Sequence, residues 1–229
     1  MYSQTKIAIP IAQKDKDSVI IVARDCIRKG ADILEFRIDA MENPNKDTIV
    51  EIVKELDFPL IATCRIKEEG GSFEGSERDR VNLLLACAPY VEYIDIELQT
   101  NDEYIEEIKS TGVKTIISYH DFEKTPELSD LIYIVNKEKS LGDIAKVAVT
   151  PEELEDTLVV LAVLSRCNNT IAISMGELGS YTRVMASKFN SPITFAVGRD
   201  VTAPGQLDIE TMKMLLNMDL IDDDLELDE

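Results

Sequence analysis

The chain has 229 residues, 45% of them hydrophobic, and its 44 acidic against 24 basic residues give a formal net charge of -20. That length and apolar content suit two small domains or one α/β barrel, and so acidic a surface works against binding nucleic acid or an anionic membrane. The cysteines Cys26, Cys64, Cys87 and Cys167 are scattered without a Cys-x-x-Cys pair, so with a single histidine they make no standard zinc site and read as buried small hydrophobes.

The first residues lead straight into the strand-like run 7–11 without a charged-then-apolar leader, and no apolar run approaches 18 residues, which points to a cytoplasmic protein. Seven more β-branched apolar runs follow, at 33–36, 60–63, 93–98, 115–118, 146–149, 171–174 and 193–197. Helical patterns lie between them, such as Val19, Val22, Ala23, Cys26 and Ile27 before Gly30, or Val81, Leu84, Leu85 and Ala88 before Pro89. Thr150-Pro151-Glu152-Glu153 reads as an N-cap, a first-turn proline and a capping-box glutamate. It would open a helix with Leu154, Leu158, Leu161 and Ala162 on one face, and Thr125-Pro126 repeats the device.

Strand and helix alternate through eight units with no linker, which favours a single (β/α)8 TIM barrel over residues 1–221. The run Asp222–Glu229 is of nearly uniform charge and reads as a solvated acidic tail. A closed barrel covers both faces of its sheet, so polar residues inside its strands need a reason to be there. Glu35 and Arg37 alternate with apolar neighbours in strand two, as do Asp95 and Glu97 in strand four, which points both pairs into the barrel. Buried charges must then pair or line the open end.

Active sites of such barrels are built at the C-terminal strand ends. The ionisable residues there are Glu35, Arg37, Arg65, Glu69, Glu97, His120, Lys146 and, after strand seven, Arg183. Three arginines and a lysine at one mouth of an acidic protein focus a positive potential suited to a small anionic substrate bearing carboxylate or phosphate. His120 is the one side chain that titrates near neutrality, although a histidine at a strand end is also a common structural residue. Lys146 shares a face with Ala148. There it is either a desolvated amine able to attack a carbonyl or a lysine whose head reaches water from the barrel's end.

Six segments, in order, carry a family resemblance: Glu35-Phe36-Arg37-Ile38-Asp39, Cys64-Arg65-Ile66-Lys67-Glu68-Glu69-Gly70-Gly71, Ser118-Tyr119-His120-Asp121-Phe122, Lys146-Val147-Ala148-Val149-Thr150-Pro151, Ser174-Met175-Gly176 with Arg183, and Thr202-Ala203-Pro204-Gly205-Gln206. The chain resembles the type I 3-dehydroquinate dehydratases of the shikimate pathway. The resemblance implies a Schiff base between Lys146 and the substrate ketone, with His120 as general base and acid and Glu69 orienting it. It also implies substrate contacts from Glu35, Arg37, Arg65, Arg183, Thr202 and Gln206, apolar walls from Met175 and Phe195, and a closing loop hinged at Gly205. It brings no cofactor and no metal, and the partners it implies are 3-dehydroquinate and, at most, a second copy of the chain.

Two departures stand out: threonine at 202 where relatives commonly have serine, and a start directly at strand one where many bacterial relatives have a plugging hairpin, so that side chains must seal the floor. The competing readings are a class I aldolase, which also uses a strand-six lysine, and a barrel that only binds a metabolite or protein. The pairing of His120 with Glu69, the three arginines and the Ala203-Pro204-Gly205-Gln206 loop favour dehydration over the aldolase, and a barrel that only binds need not keep Lys146, His120, Glu69 and Arg183 together.

Overall fold

The computed structural model describes residues 5–198 and 207–217. Its strands are β1 (Lys6–Ile11), β2 (Ile33–Arg37), β3 (Leu60–Thr63), β4 (Tyr93–Glu97), β5 (Lys114–Asp121), β6 (Ile144–Val149), β7 (Thr170–Ser174) and β8 (Ile193–Phe195). They lie in the order β7-β6-β5-β4-β3-β2-β1-β8, all parallel, with β1 pairing both β2 and β8. At the remaining seam the Ser191 hydroxyl meets the Thr170 carbonyl at 2.9 Å, and Ile171 and Ile173 of β7 join Ile193 and Phe195 of β8 in one interior cluster. The result is the nearly closed eight-stranded barrel that the alternation predicts.

Around it run α1 (Lys16–Lys29), α2 (Lys46–Leu56), α3 (Glu77–Cys87), α4 (Asp102–Lys109), α5 (Leu128–Leu141), α6 (Leu154–Arg166), the short α7 (Thr182–Met185) and α8 (Ile209–Asn217). Asp15, Asn45, Ser76 and Asn101 cap the first four, their side chains accepting hydrogen bonds from first-turn amides. Among the described residues no helix is long and apolar enough to cross a membrane.

Strand alternation sorts the interior by depth. Ile33, Tyr93, Ile144 and Ile193, each at the start of its strand, belong to the interior apolar cluster. Above them Glu35, Asp95, Glu97, Ser118 and Lys146 are all buried. The outward residues of β6, namely Ala145, Val147 and Val149, pack under α5 and α6 through Leu131, Val135, Val160, Val163 and Leu164.

Two helix expectations fail. Helix α6 starts at Leu154, not at Pro151, because Glu153 and Asp156 form the capping box. The Thr150 hydroxyl instead donates to the Asp121 carbonyl (3.1 Å), and its own carbonyl accepts from Thr125 (3.0 Å), so both threonines join two loops rather than capping helices. The buried face of α6 is Thr157, Val160, Val163 and Leu164, whereas Leu154 and Leu158 are each 56% exposed. Two helical stripes compete in this sequence, and the one whose β-branched side chains fit the strand surface beneath wins. Strand β5 also runs further than expected, to Asp121, so that His120 is part of the strand. The acidic tail lies outside the described residues.

Equilibrium denaturation distinguishes the two stripes of α6. Leu164→Ala should cost about 2–5 kcal/mol as a core truncation, while Leu158→Ala should stay within about 0.5 kcal/mol of the parent.

Candidate active site

Lys146 sits at the centre of the barrel. Its Nζ donates to Asp95 Oδ2 at 2.8 Å, lies 3.5 Å from Glu35 Oε1, and stands 4.6 Å above the Phe195 ring. Asp95 Oδ1 accepts from Arg65 Nη2 (2.7 Å) and from the Ser118 hydroxyl (2.7 Å), and Arg65 Nη1 reaches Glu97 Oε1 at 2.8 Å. Burial pushes the Asp95 carboxyl up, but Arg65 and Lys146 outweigh it and hold the group well below the usual carboxylate range. Arg65 is likewise held charged, burial being offset by Asp95 and Glu97. Glu35 takes a hydrogen bond from the Thr63 hydroxyl at 3.0 Å.

His120, two residues beyond Ser118 on β5, stands level with Ala148 on β6, while Ser118 stands level with Lys146. The imidazole and the amine are therefore diagonal neighbours on adjacent strands. Glu69 arrives from the other side through a tight turn. Gly70 takes a left-handed φ of +78°, and a Cβ on Gly71 would come within 2.0 Å of the Arg65 carbonyl oxygen, so the chain can fold back over the strand ends only with glycine there. Folded back, Glu69 Oε2 lies 2.8 Å from His120 Nδ1 and accepts from the His120 amide at 3.1 Å, while Oε1 accepts from Gln99 at 2.9 Å.

Glu69 accepts from the His120 amide and from the Gln99 side-chain nitrogen, and when ionised it can only accept from Nδ1 as well, so Nδ1 carries the ring proton and Nε2 is left as a lone-pair base. Burial, then the cations Arg65 and Lys146, push His120 well below its ordinary value. Burial pushes Glu69 up to about 7, with Arg65 opposing. With the imidazolium disfavoured by burial and by the neighbouring cations, the contact is a hydrogen bond from a neutral ring to Glu69, whose carboxyl burial raises to about 7.

Of the cations expected to focus positive potential, three are neutralised. Lys146 and Arg65 face the carboxylates above, and Arg37 makes a two-pronged contact with Asp39 (2.9 and 2.8 Å). Arg183 differs. It is 5% exposed, donates through Nη1 to the Ser174 carbonyl at 3.2 Å, and leaves Nε without a partner among the described residues. Burial pulls it down to about 10, as for a cation with no counter-ion among the described residues. Met175 packs against the interior cluster beside Phe195. Thr202, Gly205 and Gln206 lie outside the described residues. A groove of about 710 Å³ opens elsewhere, between the loops after β2 and β3, and neither Lys146, His120 nor Arg183 lines it.

The profile of the type I 3-dehydroquinase family matches residues 7–223. The chain belongs to the type I 3-dehydroquinases. It is 70% identical over 220 residues to a 3-dehydroquinate dehydratase of Methanobrevibacter smithii, covering 96% of this chain and 98% of that one. A second relative, from Methanothermobacter thermautotrophicus, is 49% identical and covers 93% and 96%. The fold superimposes on a Clostridium difficile type I 3-dehydroquinate dehydratase solved with covalent modified comenic acid, with TM-score 0.88, 32% identity and coverage of 94% and 92%.

This type I 3-dehydroquinase also places residues around the site that sequence reasoning left out. Asp39 accepts from Arg37 and from the amides of Arg65 and Ser72, tying the loop after β3 to β2. Gln99 holds the far oxygen of Glu69. Arg80 is buried on α3, although its Glu-Arg-Asp-Arg context reads as a solvated helix face. Glu138 on α5 is fully buried, neither oxygen has a hydrogen-bond partner among the described residues, and burial holds its carboxyl well above the usual range. Asp95, by contrast, is read as inward-pointing from the alternation of strand four.

The chain has one histidine, so imidazole ¹⁵N NMR reads this site without overlap. At pH 7 the spectrum should be that of a neutral ring protonated at Nδ1; an imidazolium, or a ring protonated at Nε2, would contradict the geometry.

Proposed function

We propose that the chain converts 3-dehydroquinate to 3-dehydroshikimate, a step of the shikimate pathway, by syn elimination of water through an imine on Lys146. The observation that carries this reading is the placement of Lys146, a buried amine at the centre of the barrel beside two carboxylates and diagonal to a neutral imidazole. The amine, once deprotonated, adds to the C3 ketone and the adduct loses water to give an iminium. Asp95 and Glu35, which face the ammonium, then face a cation at the same position and stabilise it.

The iminium acidifies the neighbouring C2 hydrogen. His120 Nε2 takes that proton, and the C2–H bonding pair enters the conjugated enamine. As the pair returns and the C1–oxygen bond breaks, the protonated ring gives its proton to the leaving hydroxyl, which departs as water. Hydrolysis of the remaining imine consumes one water, restores Lys146 and releases product, so the net change is loss of one water and no cofactor takes part. Glu69 keeps the ring oriented and supports its charged form. Arg183, a buried cation without a described counter-ion, suits the substrate carboxylate. Arg37, Glu35, Thr202 and Gln206 would contact hydroxyls, and Met175 and Phe195 would wall the pocket. Four buried free cysteines fit a reducing cytoplasm.

Lys146→Ala should abolish both turnover and borohydride trapping of substrate, whereas His120→Ala should still trap it while elimination slows by about 10²–10⁴-fold. Normal turnover in either variant sinks the mechanism. Below about pH 7 Glu69 takes up a proton and stops accepting from Nδ1, so activity should fall on the acid side. Glu69→Gln should flatten that limb at a lower overall rate; a limb unchanged in this variant would assign the titration elsewhere.

A further inference from the structure

Arg80 spends its whole guanidinium inside the protein. Nε and Nη2 grip Glu77 (2.8 and 2.7 Å), Nη2 also reaches the Thr100 hydroxyl (2.9 Å), and Nη1 reaches the Cys64 carbonyl (2.9 Å) and Glu97 Oε2 (2.6 Å). The other oxygen of Glu97, Oε1, serves Arg65 Nη1 at 2.8 Å and the Ile66 amide at 3.3 Å. Contacts then run without a gap from Arg65 to Asp95 at 2.7 Å and from Asp95 to Lys146 at 2.8 Å. Arg80 lies far along this line from the amine and at no point touches it.

We propose that Arg80 is a positioning residue for the reactive amine: by occupying one oxygen of Glu97 it leaves Arg65 free to hold Asp95, and so limits how tightly Asp95 holds Lys146. Inside the barrel and behind it, three carboxylates (Glu35, Asp95, Glu97) meet three cations (Arg65, Arg80, Lys146), each at most 4% exposed. Without Arg80, Glu97 keeps a buried oxygen unpaired and draws Arg65 toward itself. Asp95 then turns to Lys146 as its remaining cation, and the ammonium form gains. Besides Asp95 and Glu35, the titratable groups whose charge Lys146 feels are His120 on β5 and, from the outer layer, Glu138 on α5. Those facing Arg80 are Glu77, Glu97 and the Cys64 thiol.

The inference takes Lys146 as the nucleophile of the proposed function, but its test does not need the substrate. Reductive methylation with formaldehyde and cyanoborohydride, followed by peptide mass spectrometry, reads the nucleophilicity of Lys146 against pH. In Arg80→Met the pH of half-maximal labelling should rise by about 1 unit or more, with about tenfold slower labelling at pH 7. In Arg80→Met/Glu97→Gln, where charge balance is restored, the midpoint should return toward the parent value, and Arg80→Lys should lie between. Circular dichroism identifies the folded variants, and if the single Met variant is unfolded, the Lys and double variants decide. A midpoint unchanged in every folded variant overturns the proposal and leaves Arg80 as an anchor of α3. Failure of 3-dehydroquinate to form an adduct on Lys146, with the midpoint still shifted, would count against the proposed function alone.

Discussion

Six charged side chains, five inside a barrel of Ile, Val and Ala and Arg80 behind it on α3, set the terms for the rest of this structure. Removing one member of a buried pair typically costs about 3–5 kcal/mol, because its partner is left charged and unsolvated. Each strand that contributes a charge is thereby bound to its neighbours: β2 through Glu35, β3 through Arg65, β4 through Asp95 and Glu97, β6 through Lys146, with Ser118 of β5 bridging Arg65 and Asp95. A register slip in any of them would point a charge into the helix layer. The network costs stability that an apolar core would not, and what it provides is a lysine fixed at the barrel centre with its charge partly matched.

The imidazole depends on that same network. His120 is neutral because it is buried among the cations that the network holds, Arg65 and Lys146. Its orientation comes from Glu69, which reaches it only because two glycines fold the loop over the Arg65 backbone. Arg65 thus acts three ways: it anchors Asp95, its charge disfavours the imidazolium, and its backbone forms the surface on which the Glu69 turn rests. Arg183 stands apart from all of this, buried and with its Nε unpartnered among the described residues.

Much of the fold could be read from the chain. The eight strands stand within a few residues of the apolar runs, because strands covered on both faces must be continuously apolar. The inward placement of Glu35, Asp95, Glu97 and Lys146 followed from alternation. The face of α6 did not, since leucine and β-branched stripes are both plausible until the strand surface beneath chooses. Arg80 and Glu138 were opaque for a related reason: in Glu77-Arg78-Asp79-Arg80 and Lys137-Glu138-Lys139 the neighbours are charged, and only tertiary packing marks one residue as buried. The meeting of Glu69 with His120, 51 residues apart, came from family resemblance; local pattern holds no record of a turn's direction.

The most direct test of the account is a crystal structure of the enzyme reduced by borohydride in the presence of 3-dehydroquinate. The account predicts a covalent bond from Lys146 Nζ to the former ketone carbon, His120 Nε2 facing the adjacent carbon, and the ligand carboxylate on Arg183. An ordered ligand in the barrel mouth with no bond to Lys146, or an adduct on another lysine, would contradict it.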